Sequence, residues 1–289
     1  MSVTLDGFRE HVRQVSAPRT ALAYSKDAEG FEEFRAGRPL TLALVEAWAA
    51  GLDHGRLNAQ TVARKTAALK AWLGHLGAHG DDDALRLVQV LRAYRTSRGP
   101  RQADRRQVEP VTREEYREAR ARAPEWGRHL MDLLWWTGCR ISEVLGDVQA
   151  SVPIPPLTVR DGLGLVSRGY ARTVGKGGKV RTLVMLSAGR IELARWLDGR
   201  DPGGPLFAVT PQAANAMLHR AGLQGGAHRF RHSFTSRLRR AGVREEIIRA
   251  MLGHGPRDAT DRYGAVTVEE MIEAVERMAA PYLEEEAKS

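Results

Sequence analysis

The octapeptide AHRFRHSF, residues 227–234, places two histidines four apart and two arginines in one short window. Two chemistries fit such a set. On a helix, His228 and His232 at i and i+4 can present two imidazoles to one metal ion. The surrounding sequence argues against that use. Arg229 and Arg231 would set two cations beside a dication with no nearby carboxylate to offset them, and the chain's single cysteine, Cys139, lies far upstream. No metal is therefore expected. The second chemistry is anion binding. His228 and Arg231 are three apart and share a helix face, and both fall in the first turn of a helix predicted over HRFRHSFTSRLRR. There the dipole and free N–H groups favour an anion, and a guanidinium binds two phosphate oxygens at once. One such pair is common on surface helices, so the reading depends on what accompanies it.

Downstream, LGHGPRDATDRYG carries His254 between a helix and a Gly-Pro loop, with Tyr263 nine residues further on. Upstream, TGCRISEV sets Arg140 at the start of a helix, and Glu143 follows one turn later, within reach of it. YARTVGKGGKVRTLVML predicts two short strands joined at Gly177–Gly178, a hairpin signal, with Lys176 at its tip and Lys179 as a rival just past the turn.

These residues need elements to hold them, and the sequence is rich in helix signals. Residues 1–95 are expected to form a small helical domain. TALAYSKDAEGFEEFRAG ends at Gly37, TLALVEAWAAGL carries Leu44, Val45, Trp48 and Leu52 on one side, and NAQTVARKTAALKAWLGHLG aligns Val62, Leu69, Trp72, Leu73 and Leu76. Arg64, Lys65 and Lys70 interrupt that last stripe and offer either a basic flank for phosphates or a solvated face. DDALRLVQVLRAYR supplies a fourth helix, with acidic residues where the dipole favours them. TSRGPRQADRRQVEP, residues 96–110, has four arginines (Arg98, Arg101, Arg105 and Arg106) and little apolar content, and is expected to be a basic linker.

From residue 111 to the end a second domain is expected. It begins with a Thr112–Glu115 capping box and the apolar run WGRHLMDLLWW, which breaks at Thr137-Gly138. SVPIPPLTVRDGLG, rich in Pro and Gly, is expected to interrupt the strand region before the hairpin. Four more helices follow, most of them stopping at Gly. The tail TVEEMIEAVERM opens with a Thr267–Glu270 capping box and lines up Val268, Met271, Ile272 and Val275, a face for docking on a neighbouring protomer or for packing on its own domain.

Charge narrows the partner. The 289-residue chain carries +9; the segment from Ala265 onward has seven Glu against one Arg and one Lys, a net of −5, which leaves +14 for the rest. That balance points to an anionic partner, most simply nucleic acid. One cysteine permits no internal disulfide. No apolar run reaches the length of a membrane span, and MSVTLDGFREHVRQ lacks a signal-peptide core. A cytoplasmic, nucleoid-associated protein is expected.

TGCRISEVLG, GKGGKVR, HRFRHSF and LGHGPRDATDRY, in that order, together resemble the tyrosine recombinases, the phage-integrase and Xer-like group. The resemblance spans about residues 111–265, and the helical N-terminal part is similar to that family's core-binding domain. It implies a two-domain architecture, mainly α with a small β-hairpin. It implies site-specific recombination through a 3′-phosphotyrosyl intermediate, with double-stranded DNA as partner, a homo- or hetero-tetramer on paired sites, and no cofactor. It also implies residue roles. Tyr263 would be the nucleophile. Arg140 and Arg231 would hold the scissile phosphate, and His254 would donate a hydrogen bond to it. Lys176 would protonate the leaving 5′-oxygen, His228 would assist proton transfer at the tyrosine, and Glu143 would orient its neighbours. His232 is left as a helper or a structural residue.

The sequence departs from the family pattern in two places. The chain between Arg140 and Lys176 is longer than in compact members, and Phe230 stands where Leu is more familiar. No arm-binding segment precedes the helical domain, so a recombinase smaller than the larger phage integrases is expected. Two alternatives remain open: a type IB topoisomerase-like relaxing enzyme, and a DNA-binding protein without catalysis.

Overall fold

In the computed structural model, contacts divide the chain into two units, Met1–Gln107 and Val108–Ser289. The structure describes residues 4–54, 57, 59–93, 109–150, 152–253 and 266–286. The expected linker lies almost wholly outside them, and with it Arg98, Arg101, Arg105 and Arg106.

The first unit is built from α1 (Leu5–Val15), α2 (Pro18–Arg35), α3 (Leu42–His54), α4 (Ala59–Ala78) and α5 (Asp82–Ala93). Local signals start and stop these helices. The Thr4 hydroxyl accepts the Gly7 N–H at the head of α1, and Pro18 sits in the first turn of α2, where its missing N–H costs nothing. The apolar stripes meet in one core. Phe8 meets Trp72 edge to face at 5.2 Å, Phe31 meets Trp48 at 5.5 Å, and Leu69 and Leu73 fill the space beside them.

The second unit contains α6 (Arg113–Arg122), α7 (Glu125–Thr137), α8 (Ile141–Leu145), α9 (Val159–Arg168), β1 (Tyr170–Val174), β2 (Val180–Val184), α10 (Ser187–Leu197), α11 (Pro211–Arg220), α12 (His228–Arg240), α13 (Glu245–Leu252) and α14 (Val268–Glu286). β1 and β2 pair antiparallel, with Arg181 opposite Thr173, and a short turn at Lys176–Gly178 joins them, as the Gly-Gly signal predicts. One apolar cluster surrounds α7, including Leu134, Trp135 and Phe230; another joins Phe234 and Leu238 of α12 to α13, β2 and α14.

α7 and α12 lie close together because Gly138 ends α7 in the left-handed region (φ 58°), where a Cβ would stand 2.3 Å from the Phe234 ring. α12 also clamps the start of the unit. Arg229 Nε donates to the Glu109 carbonyl at 2.9 Å and its Nη2 pairs with Glu115 at 2.8 Å, while Ser233 Oγ donates to the Val111 carbonyl. Arg229 is therefore a structural cation.

One expectation needs correction, and one open alternative is decided. SVPIPPLTVRDGLG is only in part an irregular insertion: Thr158 and Asp161 form a capping box, and α9 follows. The glycines within α9 permit close packing, since a Cβ at Gly162 would lie 2.8 Å from Leu206 and 3.0 Å from Leu197. The stripe on α14 packs on its own domain. Met271 and Val275 are buried against α12, α13 and β2, and Ile272 packs at the edge of the same cluster.

Candidate active site

Gly138 turns the chain out of α7, Cys139 is fully buried, and Arg140 immediately precedes α8. Arg140 keeps 31% of its side chain exposed, whereas Glu143, one turn later, is completely buried. The Glu143 carboxylate accepts two hydrogen bonds and one further ion-pair contact. Its Oε1 lies 2.8 Å from Arg140 Nη1, and its Oε2 accepts the Arg140 backbone N–H at 2.7 Å and approaches Arg181 Nη2 at 3.1 Å. The Glu143 backbone carbonyl accepts the Thr173 hydroxyl of β1 at 2.9 Å, so the hairpin is fastened to the same turn.

Arg231 enters from α12. Its Nη1 donates to the Gly138 carbonyl at 3.1 Å across 93 residues of sequence, and its Nη2 donates to the Leu252 carbonyl at the end of α13. Arg181 donates to the preceding carbonyl, Met251. Three arginines and one glutamate thus form a cluster with a formal charge of +2. Burial, then repulsion from Arg181 and Arg140, lowers the Arg231 pKa to about 9, which leaves it cationic at neutral pH.

His228 is exposed at the start of α12, and its ring meets that of His232 edge to face at 4.9 Å. Partial desolvation, reinforced by the positive fields of His232, Arg231 and Arg140, holds its pKa below the ordinary histidine value. Among the described residues, no three His, Cys, Asp or Glu side chains gather where they could hold a metal ion.

The structure thus brings Arg140, Glu143, Arg231 and His228 into one neighbourhood. Lys176 lies in the hairpin turn, where the Gly175 N–H donates to the Lys179 carbonyl at 2.8 Å; the Lys179 side chain is exposed. His254 and Tyr263 lie outside the described residues. His254 directly follows Gly253, which ends α13 in the left-handed region (φ 66°).

In the first unit, Arg64 and Lys65 both pair with the buried carboxylate of Asp27, the lysine at 3.1 Å. One of their two charges is already answered inside the unit, which makes the pair a weaker phosphate ligand than the sequence suggests. Lys70 is half-buried on α4. Sequence reasoning missed Arg181. Its motif GKGGKVR was in view, but a lone arginine on a strand carries no periodic signal.

Residues 111–270, more than half of the chain, match the model of the phage integrase family. The tyrosine recombinase XerC of Rhodospirillum centenum is 29% identical over 92% of this chain and 83% of its own, and that of Mycobacterium leprae is 28% identical over 91% and 94%. Among solved structures, the Tn1549 transposon integrase in complex with circular intermediate DNA aligns at a TM-score of 0.56 and 18% identity, over 94% of this chain and 99% of that one. XerH recombinase bound to difH substrate aligns at 0.51 and 17%, over 88% and 78%. At such identities the structural likeness speaks for the fold. Taken with the motifs and with the meeting of Arg140, Arg181 and Arg231 near Glu143, the family match settles membership: the chain belongs to the phage integrase family of tyrosine-type site-specific recombinases.

Proposed function

We propose that the chain cleaves and rejoins double-stranded DNA through a 3′-phosphotyrosyl intermediate on Tyr263, with strand exchange between two duplex sites. The observation that carries this reading is the meeting of Arg140 and Arg231, drawn from separate elements, around the turn that begins at Gly138.

A phosphodiester bears one negative charge and repels nucleophiles. Attack by a tyrosinate adds a second in the transition state, so preorganised cations lower the barrier. A formal charge of +2 suits that dianion. Tyrosine, with an ordinary pKa of about 10, needs help to lose its proton, and His228, held neutral at physiological pH, can accept it. The Tyr263 oxygen then bonds to phosphorus, the bond from phosphorus to the 5′-oxygen breaks, and Lys176 protonates the departing oxygen. His254 donates a hydrogen bond to a non-bridging oxygen. Rejoining is the reverse: a 5′-hydroxyl attacks the phosphotyrosine and releases Tyr263. The ester bond is conserved throughout, so no nucleotide is consumed. A 5′-end from the second duplex completes strand exchange.

The first unit serves as a second DNA-binding body, and a homo- or hetero-tetramer holds the paired sites. Many phosphate contacts make binding strongly salt-dependent. The test is a nicked suicide duplex whose short 5′-leaving strand diffuses away. A covalent protein–DNA adduct is expected from the wild type and none from Tyr263→Phe. An adduct that survives Tyr263→Phe overturns the nucleophile. Relaxed circles without recombined junctions, from a plasmid with two sites, would overturn strand exchange.

A further inference from the structure

Arg181 is given no contact of its own in the mechanism above, yet it is the most deeply enclosed cation of the cluster. It sits on β2 with 2% of its side chain exposed. Its Nη1 donates to the Met251 carbonyl and its Nη2 lies 3.1 Å from Glu143 Oε2; neither Nε nor Nη2 makes a well-aligned hydrogen bond among the described residues. A guanidinium so placed is poorly explained by stability, because burying a charge in an ion pair returns little net free energy.

Its value lies in what it does to the neighbouring carboxylate. Glu143 splits its two oxygens, one to the Arg140 guanidinium and the other shared by the Arg140 backbone N–H and Arg181. Were Arg181 neutral, Arg140 would be the only guanidinium paired with that carboxylate. The cluster would then fall from +2 to +1, with Arg231 as the sole surplus cation. A field of +1 still suits the ground-state phosphodiester monoanion but not the dianion formed when tyrosinate attacks. Arg181 adjoins Arg231 as well, since the two donate to adjacent carbonyls, Met251 and Leu252.

We infer that Arg181 is a positioning residue for DNA cleavage: it draws one oxygen of Glu143 to itself and so leaves Arg140 able to grip the scissile phosphate. This rests on the proposed phosphotyrosyl reaction. The loss on removing Arg181 falls on the bond-making step, and DNA binding is little changed.

The experiment measures single-turnover adduct formation by the full-length chain on the suicide duplex, over a range of DNA concentrations, for wild type, Arg181→Met and Arg181→Lys. At saturating DNA, Arg181→Met is expected to react about 100-fold more slowly, the scale seen when one preorganised transition-state contact is lost. Its half-saturating DNA concentration should stay within about threefold of wild type, the signature of an interaction made only in the transition state. Arg181→Lys keeps the charge but cannot span both Glu143 and Met251, so its rate should fall between the two. A wild-type rate in Arg181→Met, or a loss in both variants that extra DNA makes good, overturns the inference. Should Arg181→Met lose its cooperative thermal melt, Arg181→Lys decides: an intermediate rate at saturation supports the role and a wild-type rate overturns it. Failure of the underlying reaction looks different, as a wild type without adduct or an adduct retained by Tyr263→Phe.

Discussion

Arg140 Nη1 stands 2.8 Å from an oxygen of Glu143, and of the two side chains only the arginine reaches solvent. The pair joins a buried anchor to a working surface. Glu143→Gln keeps the shape and can still accept the Arg140 N–H, but it leaves Arg181 buried without a counter-charge. Breaking such a pair costs about 3 kcal/mol, and urea unfolding of the variant should show a loss of that order. An unchanged midpoint would mean that the carboxylate does not hold the cluster together.

The lowered pKa of His228 gives adduct formation a pH profile. In the proposed reaction the neutral imidazole accepts the tyrosine proton, so on that proposal the rate should fall as pH drops through the folded-state pKa, with a midpoint below the reference value of about 6.5. His228→Gln should slow the reaction and remove that acid limb. Stability carries the same sign. Between the two pKa values the native state binds fewer protons than the unfolded chain, so unfolding free energy also declines as pH falls below about 6.5.

Lys176 and Lys179 can be told apart by the leaving atom. A duplex with sulfur in place of the scissile 5′-oxygen releases a thiolate, which needs no proton to depart. Lys176→Ala should cleave the ordinary duplex at least about 100-fold more slowly than wild type, yet cleave the sulfur-bearing duplex at nearly the wild-type rate. Lys179→Ala should behave like wild type on both. The reverse pattern would move the acid to Lys179.

Gly138→Ala tests the joint between α7 and α12. The new methyl would occupy the Phe234 ring and force a non-glycine residue into a left-handed backbone. The strain alone costs about 1–2 kcal/mol, and the clash adds to it. The melting temperature should fall, and adduct formation should slow as well, because the Gly138 carbonyl is a rest for Arg231.

Signals confined to a few neighbouring residues were legible in the sequence. The Thr112–Glu115 and Thr267–Glu270 boxes form as read, because a cap involves only three or four residues. The hairpin at Gly177–Gly178 was legible for the same reason. Missed features depend on distant partners. α9 was hidden because glycine disfavours helix, and its tolerance there comes from Leu197 and Leu206, which the local sequence does not announce. Arg64 and Lys65 looked available until Asp27, 37 and 38 residues away, paired with them. The motifs named candidates for the site, but the contact between Arg181 and Glu143 links positions 38 residues apart with no pattern between them.

The paired use of Met251 and Leu252 has a mechanical consequence. Two cations rooted on a strand and on another helix rest on consecutive oxygens of α13, an eight-residue element. A tilt or slide of that one short rod would disturb both at once, and it leads directly into the segment bearing His254 and Tyr263. Whatever grips α13 therefore holds a lever on both arginines.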